Sequence, residues 1–128
     1  MKKIMIIDDD PDFVEVTRII LESKNYKVIN AYNREDAMVI MNQDRPDLIL
    51  LDIMMNQPLD GVEICKQILD ERQLNNIPII VVSSITDSPY ASKFPTDEYM
   101  SIDDWISKPA QPDTLLSKVS LYLQRYQN

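Results

Sequence analysis

Leu48-Ile49-Leu50-Leu51 is an unbroken apolar run that stops at an acid, Asp52. The run is too short for a free-standing helix and lacks polar alternation, so it reads as a strand buried on both faces, as in the middle of a parallel sheet. A strand of this kind obliges the rest of the chain to cover the sheet on both sides. It also leaves a carboxylate at the sheet edge, where open α/β folds gather their ligands. Asp52 is therefore the first candidate for chemistry.

The same pattern recurs along the chain. Ile4-Met5-Ile6-Ile7 runs into Asp8-Asp9-Asp10, and Pro11 follows, a residue favoured in a first helical turn, with Asp9 or Asp10 placed to cap it. Phe13, Val16 and Ile20, with the adjoining Thr17 and Leu21, then recur at helical spacing up to Lys24-Asn25. Tyr26 to Ala31 predicts a second strand. Asn33-Arg34-Glu35-Asp36 has the form of a cap with acids in the first turn, opening a helix that buries Ala37, Ile40 and Met41. Asp44-Arg45-Pro46 breaks that helix before the strand that ends at Asp52.

Asn56 to Gly61 reads as a loop, with a third helix starting at Asp60-Gly61 and turning Val62, Cys65, Ile68 and Leu69 inward. Ile77 to Val82 predicts the fourth strand, ending in Ser83-Ser84. The pattern from Ile85 to Asp104 is poor and predicts a short helix with much loop. Tyr90, Phe94, Tyr99, Met100 and Trp105 form either a satellite core there or a partner surface. Trp105-Ile106-Ser107 is a short fifth strand stopped by Lys108-Pro109. The last helix starts near Pro112-Asp113, with Leu115, Leu116, Val119, Tyr122 and Tyr126 on one face. The alternation predicts an α/β domain, a five-stranded parallel sheet between five helices, with right-handed crossovers.

Composition narrows the chemistry. At 128 residues the chain is one domain with room for a core of its own. One cysteine and no histidine exclude a disulfide framework and a Cys/His zinc site, so any imidazole must come from another molecule. A net charge of −8 argues against a nucleic-acid surface. The partners expected are proteins, or small phosphates held through a cation. With neither a signal-peptide core nor a spanning segment after Met1-Lys2-Lys3, the expected location is the cytoplasm, away from membranes. Cys65 reads as a small core residue.

Parallel strands bring Asp8-Asp9-Asp10, Asp52, Ser83-Ser84 and Lys108 to one edge. Carboxylates crowded together share protons or bind a cation. Oxygen ligands without nitrogen or sulfur point to Mg²⁺, which takes one or two carboxylates, several waters and a phosphate. A lysine and a hydroxyl opposite complete a phosphoryl-transfer site with a carboxylate nucleophile between them. The simpler reading of the three acids is a helix cap. One acid suffices for that, so three after a buried strand favour the metal.

The chain resembles, along its whole length, the receiver domain of two-component response regulators. The likeness rests on Ile4 to Asp10, Asp47 to Met55, Asp60-Gly61, Pro78 to Ser83 and Lys108-Pro109. The resemblance implies the flavodoxin-like three-layer sandwich with strand order 2-1-3-4-5. It implies that Asp52 accepts a phosphoryl group from a histidine kinase, a phosphotransfer protein or a small phosphodonor. It assigns Mg²⁺ to Asp8, Asp9, Asp52 and the Met54 carbonyl, with Ser83 and Lys108 meeting phosphoryl oxygens. It makes Lys108-Pro109 a cis peptide that aims the lysine inward, and pairs Ser83 with Trp105 as a switch toward a downstream protein.

The sequence departs from the family pattern at Trp105, where tyrosine or phenylalanine is usual, and at Ala110, where a bulky residue is usual. Ser84 stands in a small apolar position, the stretch before strand five is long and lacks a glycine, and Asn56-Gln57 shifts the loop proline to Pro58. The resemblance also puts apolar Met54 and Ile85 beside the acceptor, which implies a long-lived phosphorylated form. The expectation is a stand-alone receiver over residues 1–128, with no output domain, which is not itself an enzyme and leaves room for a homodimer. The alternative is a degenerate receiver that binds partners through its fourth-helix and fifth-strand surface without phosphate. An aspartate-nucleophile phosphohydrolase would want an acid at Met54, and an FMN carrier would be repelled by Asp8-Asp9-Asp10.

Overall fold

The computed structural model describes residues 1–52, 60–83 and 103–125, the side chains of residues 60–62, 69 and 83 excepted. Along the chain these form β1 (Lys3–Ile7), α1 (Pro11–Glu22), β2 (Lys27–Ala31), α2 (Arg34–Gln43), β3 (Leu48–Leu51), α3 (Asp60–Asp70), β4 (Ile79–Ser83), β5 (Asp104–Ser107) and α4 (Pro112–Arg125). The strands make one parallel sheet in the order β2-β1-β3-β4-β5. This is the expected flavodoxin-like order. Four helices fall among the described residues; the expected short helix before β5 falls in residues 84–102, which lie outside them.

The apolar runs lack alternation because both faces of the sheet are covered. Met5, Ile7, Ile49, Leu51, Ile79 and Val81 point to one side, where Ala37 and Met41 of α2 and Ile64, Cys65 and Ile68 of α3 bury them. Ile4, Ile6, Leu48, Leu50, Ile80 and Val82 point to the other, against Val14 and Leu21 of α1 and Leu115, Val119 and Tyr122 of α4. Each such side chain removed from water contributes roughly 1.5–3 kcal/mol before conformational entropy is subtracted.

Helix starts follow the local chemistry of the sequence. Asp10 caps α1, its Oδ1 accepting from the N–H of Asp12 at 3.0 Å and of Phe13 at 3.4 Å, with Pro11 in the first turn. Asn33 caps α2 through the N–H of Asp36 at 2.8 Å. Between α1 and β2 the backbone turns through Asn25 at φ 67°, a left-handed conformation that asparagine tolerates better than most residues.

Several expected boundaries and faces shift. In α1 the buried stripe is Val14, Thr17 and Leu21, with Phe13 and Ile20 on its flank, while Val16 is 58% exposed. The apolar face predicted around Val16 is therefore rotated: Val14 lies under the sheet and Val16 beyond the edge of the contact. Tyr26 precedes β2, and Ile77 and Pro78 precede β4, since proline has no N–H for the ladder. In α3, Ile64 joins Cys65 and Ile68 inside, whereas the Val62 and Leu69 side chains lie outside the described set. In α4, Leu123 joins Leu115, Val119 and Tyr122 inside and Leu116 is partly buried; Tyr126 lies outside the described residues.

The start of β5 is tied to its neighbours by polar contacts. Asp103 Oδ2 accepts from the Ile79 N–H at 2.9 Å, and Lys118 Nζ reaches Asp104 Oδ1 at 2.9 Å. The Tyr122 hydroxyl donates to the Asp103 carbonyl and to Asp104 Oδ2.

Cys65 is fully buried, and burial pushes its thiol up to about 12 from an ordinary 9.0. In native buffer it should resist iodoacetamide, reacting only at the rate of unfolding. Between those two values the unfolded chain releases a proton that the folded chain keeps, so stability falls as pH rises through this window. The stability advantage of wild type over Cys65→Ala, followed by urea titration, should narrow from pH 9 upward.

Candidate functional site

Strand register decides which side chains meet. Ile7 pairs with Leu51, and Val82 with Ile106, so the residues that follow these strands emerge along one edge. The ladder runs one step beyond the β1 and β3 strands: the Asp8 N–H donates to the Ala31 carbonyl at 3.1 Å, and the Asp52 N–H to the Ile7 carbonyl at 2.8 Å. These bonds fix the backbones of two acids side by side at the carboxyl end of the sheet.

Oxygens of Asp8, Asp9 and Asp52 lie within 4.8 Å of one another. Asp8 and Asp52 are buried, and Asp9 faces solvent. Asp8 Oδ1 accepts from the Asp10 N–H at 2.9 Å. Asp8 Oδ2 has no aligned hydrogen-bond donor, although the Lys108 ammonium stands 2.9 Å away as an ion pair. The same ammonium is 3.7 Å from Asp52 Oδ2. Burial pulls the Lys108 pKa down, but the close Asp8 carboxylate and the fields of Asp52, Asp8 and Asp10 outweigh it and hold the group above its ordinary value. Lys108 therefore carries its charge throughout the neutral range.

The expected residues are placed as follows. Asp8, Asp9, Asp52 and Lys108 come together, and the Lys108-Pro109 bond is cis, as expected. Ser83 ends β4 with its backbone opposite Ser107, next to Lys108; its side chain is outside the described set. Met54, Ser84 and Ile85 lie outside the described residues, as do Tyr90, Phe94, Tyr99 and Met100. Trp105 lies on the edge strand opposite Val81, partly buried against the α2 and α3 core.

One neighbour of the site was not foreseen. The Phe13 ring lies 4.3 Å from Lys108 Nζ, a cation–π contact. Helical periodicity marked Phe13 only as a core residue, and nothing local in the sequence signals a contact with Lys108.

Three carboxylate oxygens within reach of one ion, one of them buried without an aligned donor, suit a small hard cation. Exposed Asp9 leaves one side open to water, and Mg²⁺ keeps several waters. The three carboxylates would hold a divalent cation close to an ammonium that stands 2.9 Å from Asp8 and 3.7 Å from Asp52.

A parallel sheet in flavodoxin-like order with acids after β1 and β3 and a lysine after β5 defines an α/β domain with an acidic pocket at the carboxyl edge of its sheet. The chain belongs to the response regulator receiver domain family, whose model matches residues 4–120. It is 33% identical over 128 residues to the Response regulator GtcR of Aneurinibacillus migulanus, covering 97% of this chain and 48% of that protein. It is 32% identical to the alkaline phosphatase synthesis transcriptional regulatory protein PhoP of Bacillus subtilis, covering 97% of this chain and 49% of that one. The chain thus spans about half the length of the curated relatives it matches.

Among solved structures, a two-component response regulator from Clostridium difficile superposes with TM-score 0.83 at 29% identity, covering 100% of both chains. A CheY-like response regulator receiver domain protein from Methanospirillum hungatei gives TM-score 0.85 at 27% identity over 99% of this chain and 97% of that one. The chain is a receiver domain of the two-component response regulators. Among the described residues, no helix is long and apolar enough to cross a membrane.

Removing the Lys108 charge takes an ammonium away from two crowded, buried carboxylates. Lys108→Met should lower stability by about 3 kcal/mol in Mg²⁺-free buffer at pH 7, by urea titration. Adding Asp8→Asn should recover part of that loss, because one of the two repelling charges is gone.

Proposed function

We propose that this domain takes a phosphoryl group onto Asp52 from a phosphohistidine of a kinase or phosphotransfer protein, and that the modification alters the surface it offers to a downstream protein. The observation that supports this reading best is the grouping of Asp8, Asp9 and Asp52 within 4.8 Å, with Lys108 3.7 Å from Asp52. In the transfer, an Asp52 carboxylate oxygen attacks phosphorus, the P–N bond to the donor imidazole breaks, and the imidazole leaves with the bonding electron pair. Asp8 and Asp9, directly or through water, with Asp52 and the Met54 carbonyl, would hold Mg²⁺, and the ion would supply positive charge against the phosphoryl oxygens and the crowded acids.

Lys108 meets a phosphoryl oxygen with its ammonium, and the Ser83 hydroxyl donates to another. Before transfer the ammonium lies against Asp8 and Asp52, so it is already charged and already in place. Trp105, two positions before Ser107 on β5, responds to the movement of Ser83 and carries the change to the partner surface.

The deciding experiment is intact-mass spectrometry after incubation with acetyl phosphate and Mg²⁺. Wild type should gain one phosphoryl group, and Asp52→Asn should gain none. A wild type that stays unmodified would overturn the reading. Mg²⁺ affinity offers a separate check, followed through Trp105, the single tryptophan of the chain. Asp9→Asn removes one charged ligand and should raise the Kd about tenfold or more.

A further inference from the structure

We propose that Phe13 is a positioning residue for this site, its ring holding the Lys108 ammonium against Asp8 and Asp52; the proposal rests on the phosphoacceptor reading of those carboxylates. The ammonium has close neighbours on several sides. Asp8 Oδ2 is at 2.9 Å, Asp52 Oδ2 at 3.7 Å, and the Phe13 ring centroid at 4.3 Å. An ammonium is drawn to the negative face of an aromatic ring, and more strongly where water is kept away.

Lys108 needs such a restraint because its stem is flexible and it has somewhere else to go. A cavity of about 430 Å³ opens between α1 and the segment after β5, lined by Phe13, Val16, Lys108, Ala110 and the acids Asp10 and Asp12, among others. The small side chain of Ala110 leaves this space open on the Lys108 side. The field of Asp10 reaches Lys108, and the carboxylates lining this cavity draw the ammonium away from Asp8 and Asp52. A ring at position 13 both fills part of the cavity wall beside Lys108 and attracts the charge. Leucine would fill the wall without attracting.

The backbone sets where the ring stands. Asp10 Oδ1 accepts from the N–H groups of Asp12 and Phe13, so the residue that starts α1 also fixes the first turn from which the ring projects. The third acid of the Asp8-Asp9-Asp10 cluster thus bears on Lys108 twice, once as the cap that aims Phe13 and once as a rival charge.

The test compares phosphorylation rates with acetyl phosphate and Mg²⁺ in the full chain for four proteins: wild type, Phe13→Leu, Phe13→Tyr, and Phe13→Leu combined with Asp10→Asn. Asparagine caps a helix as well as aspartate, so the last change removes one of the two rival charges and keeps the cap. Phe13→Leu should slow the reaction about 5- to 30-fold, the range expected for a partly desolvated cation–π contact. Phe13→Tyr should remain within about twofold of wild type. The double variant should recover part of the rate, which a merely structural role for Phe13 would not produce.

An unchanged rate in Phe13→Leu, an equal loss in Phe13→Tyr, or a double variant no faster than Phe13→Leu overturns the proposal. A second readout is the ¹⁵N signal of the Lys108 ammonium, seen only while the group is sheltered from exchange with water. If wild type takes no phosphoryl group, the phosphoacceptor reading falls, and this signal alone decides the positioning claim. Its loss in Phe13→Leu supports the claim, and its persistence there overturns it.

Discussion

Two buried carboxylates repel each other, and the domain is built so that they cannot move apart. Asp8 and Asp52 are held side by side by the parallel ladder, whose last bonds run through their own N–H groups. A pair of this kind is costly to fold unless positive charge lies close by. Lys108 supplies part of that charge from the far side of β4. The exposed Asp9 brings a third oxygen to the same place and increases the demand for a cation. The sheet thus concentrates negative charge at one edge, and that edge favours a small hard cation.

The rest of the fold keeps that edge rigid. Alternate residues of β1, β3 and β4 enter two separate cores, one under α2 and α3 and one under α1 and α4. Close packing on both faces leaves the central strands little freedom to slip, because a shift of one residue would exchange the two cores. The polar contacts of Asp103 and Asp104 with Ile79, Lys118 and Tyr122 anchor β5 at its start, while its other end delivers Lys108. Rigid strands and a flexible lysine are then complementary. The carboxylates are set by backbone hydrogen bonds, whereas the ammonium depends on the side chains around it.

Phe13 belongs to that last set of contacts. Its place on the first turn of α1 follows from the Asp10 cap, and its ring closes one side of the space around Lys108. A helix cap, an aromatic ring and a buried ion pair are thereby coupled across three elements. Ala110 leaves room beside them that a larger residue would fill.

The sequence by itself determined the sheet and its acids. Uninterrupted apolar runs such as Ile4–Ile7 and Leu48–Leu51 can be satisfied only by burial on two faces, and each ends at an acid of the carboxylate cluster. Asp10, Asn33 and Pro11 announced their helix starts because capping is a local interaction. What required the tertiary structure was every contact between side chains far apart in the chain: the 2.9 Å approach of Lys108 to Asp8, the ring of Phe13 over that ammonium, and the polar anchor from Asp104 to Lys118 and Tyr122. The outward turn of Val16 belongs with these. Periodicity says that a helix has an apolar face, but the exact phase of that face is set by the sheet and the helix it packs against, and no local rule contains their positions.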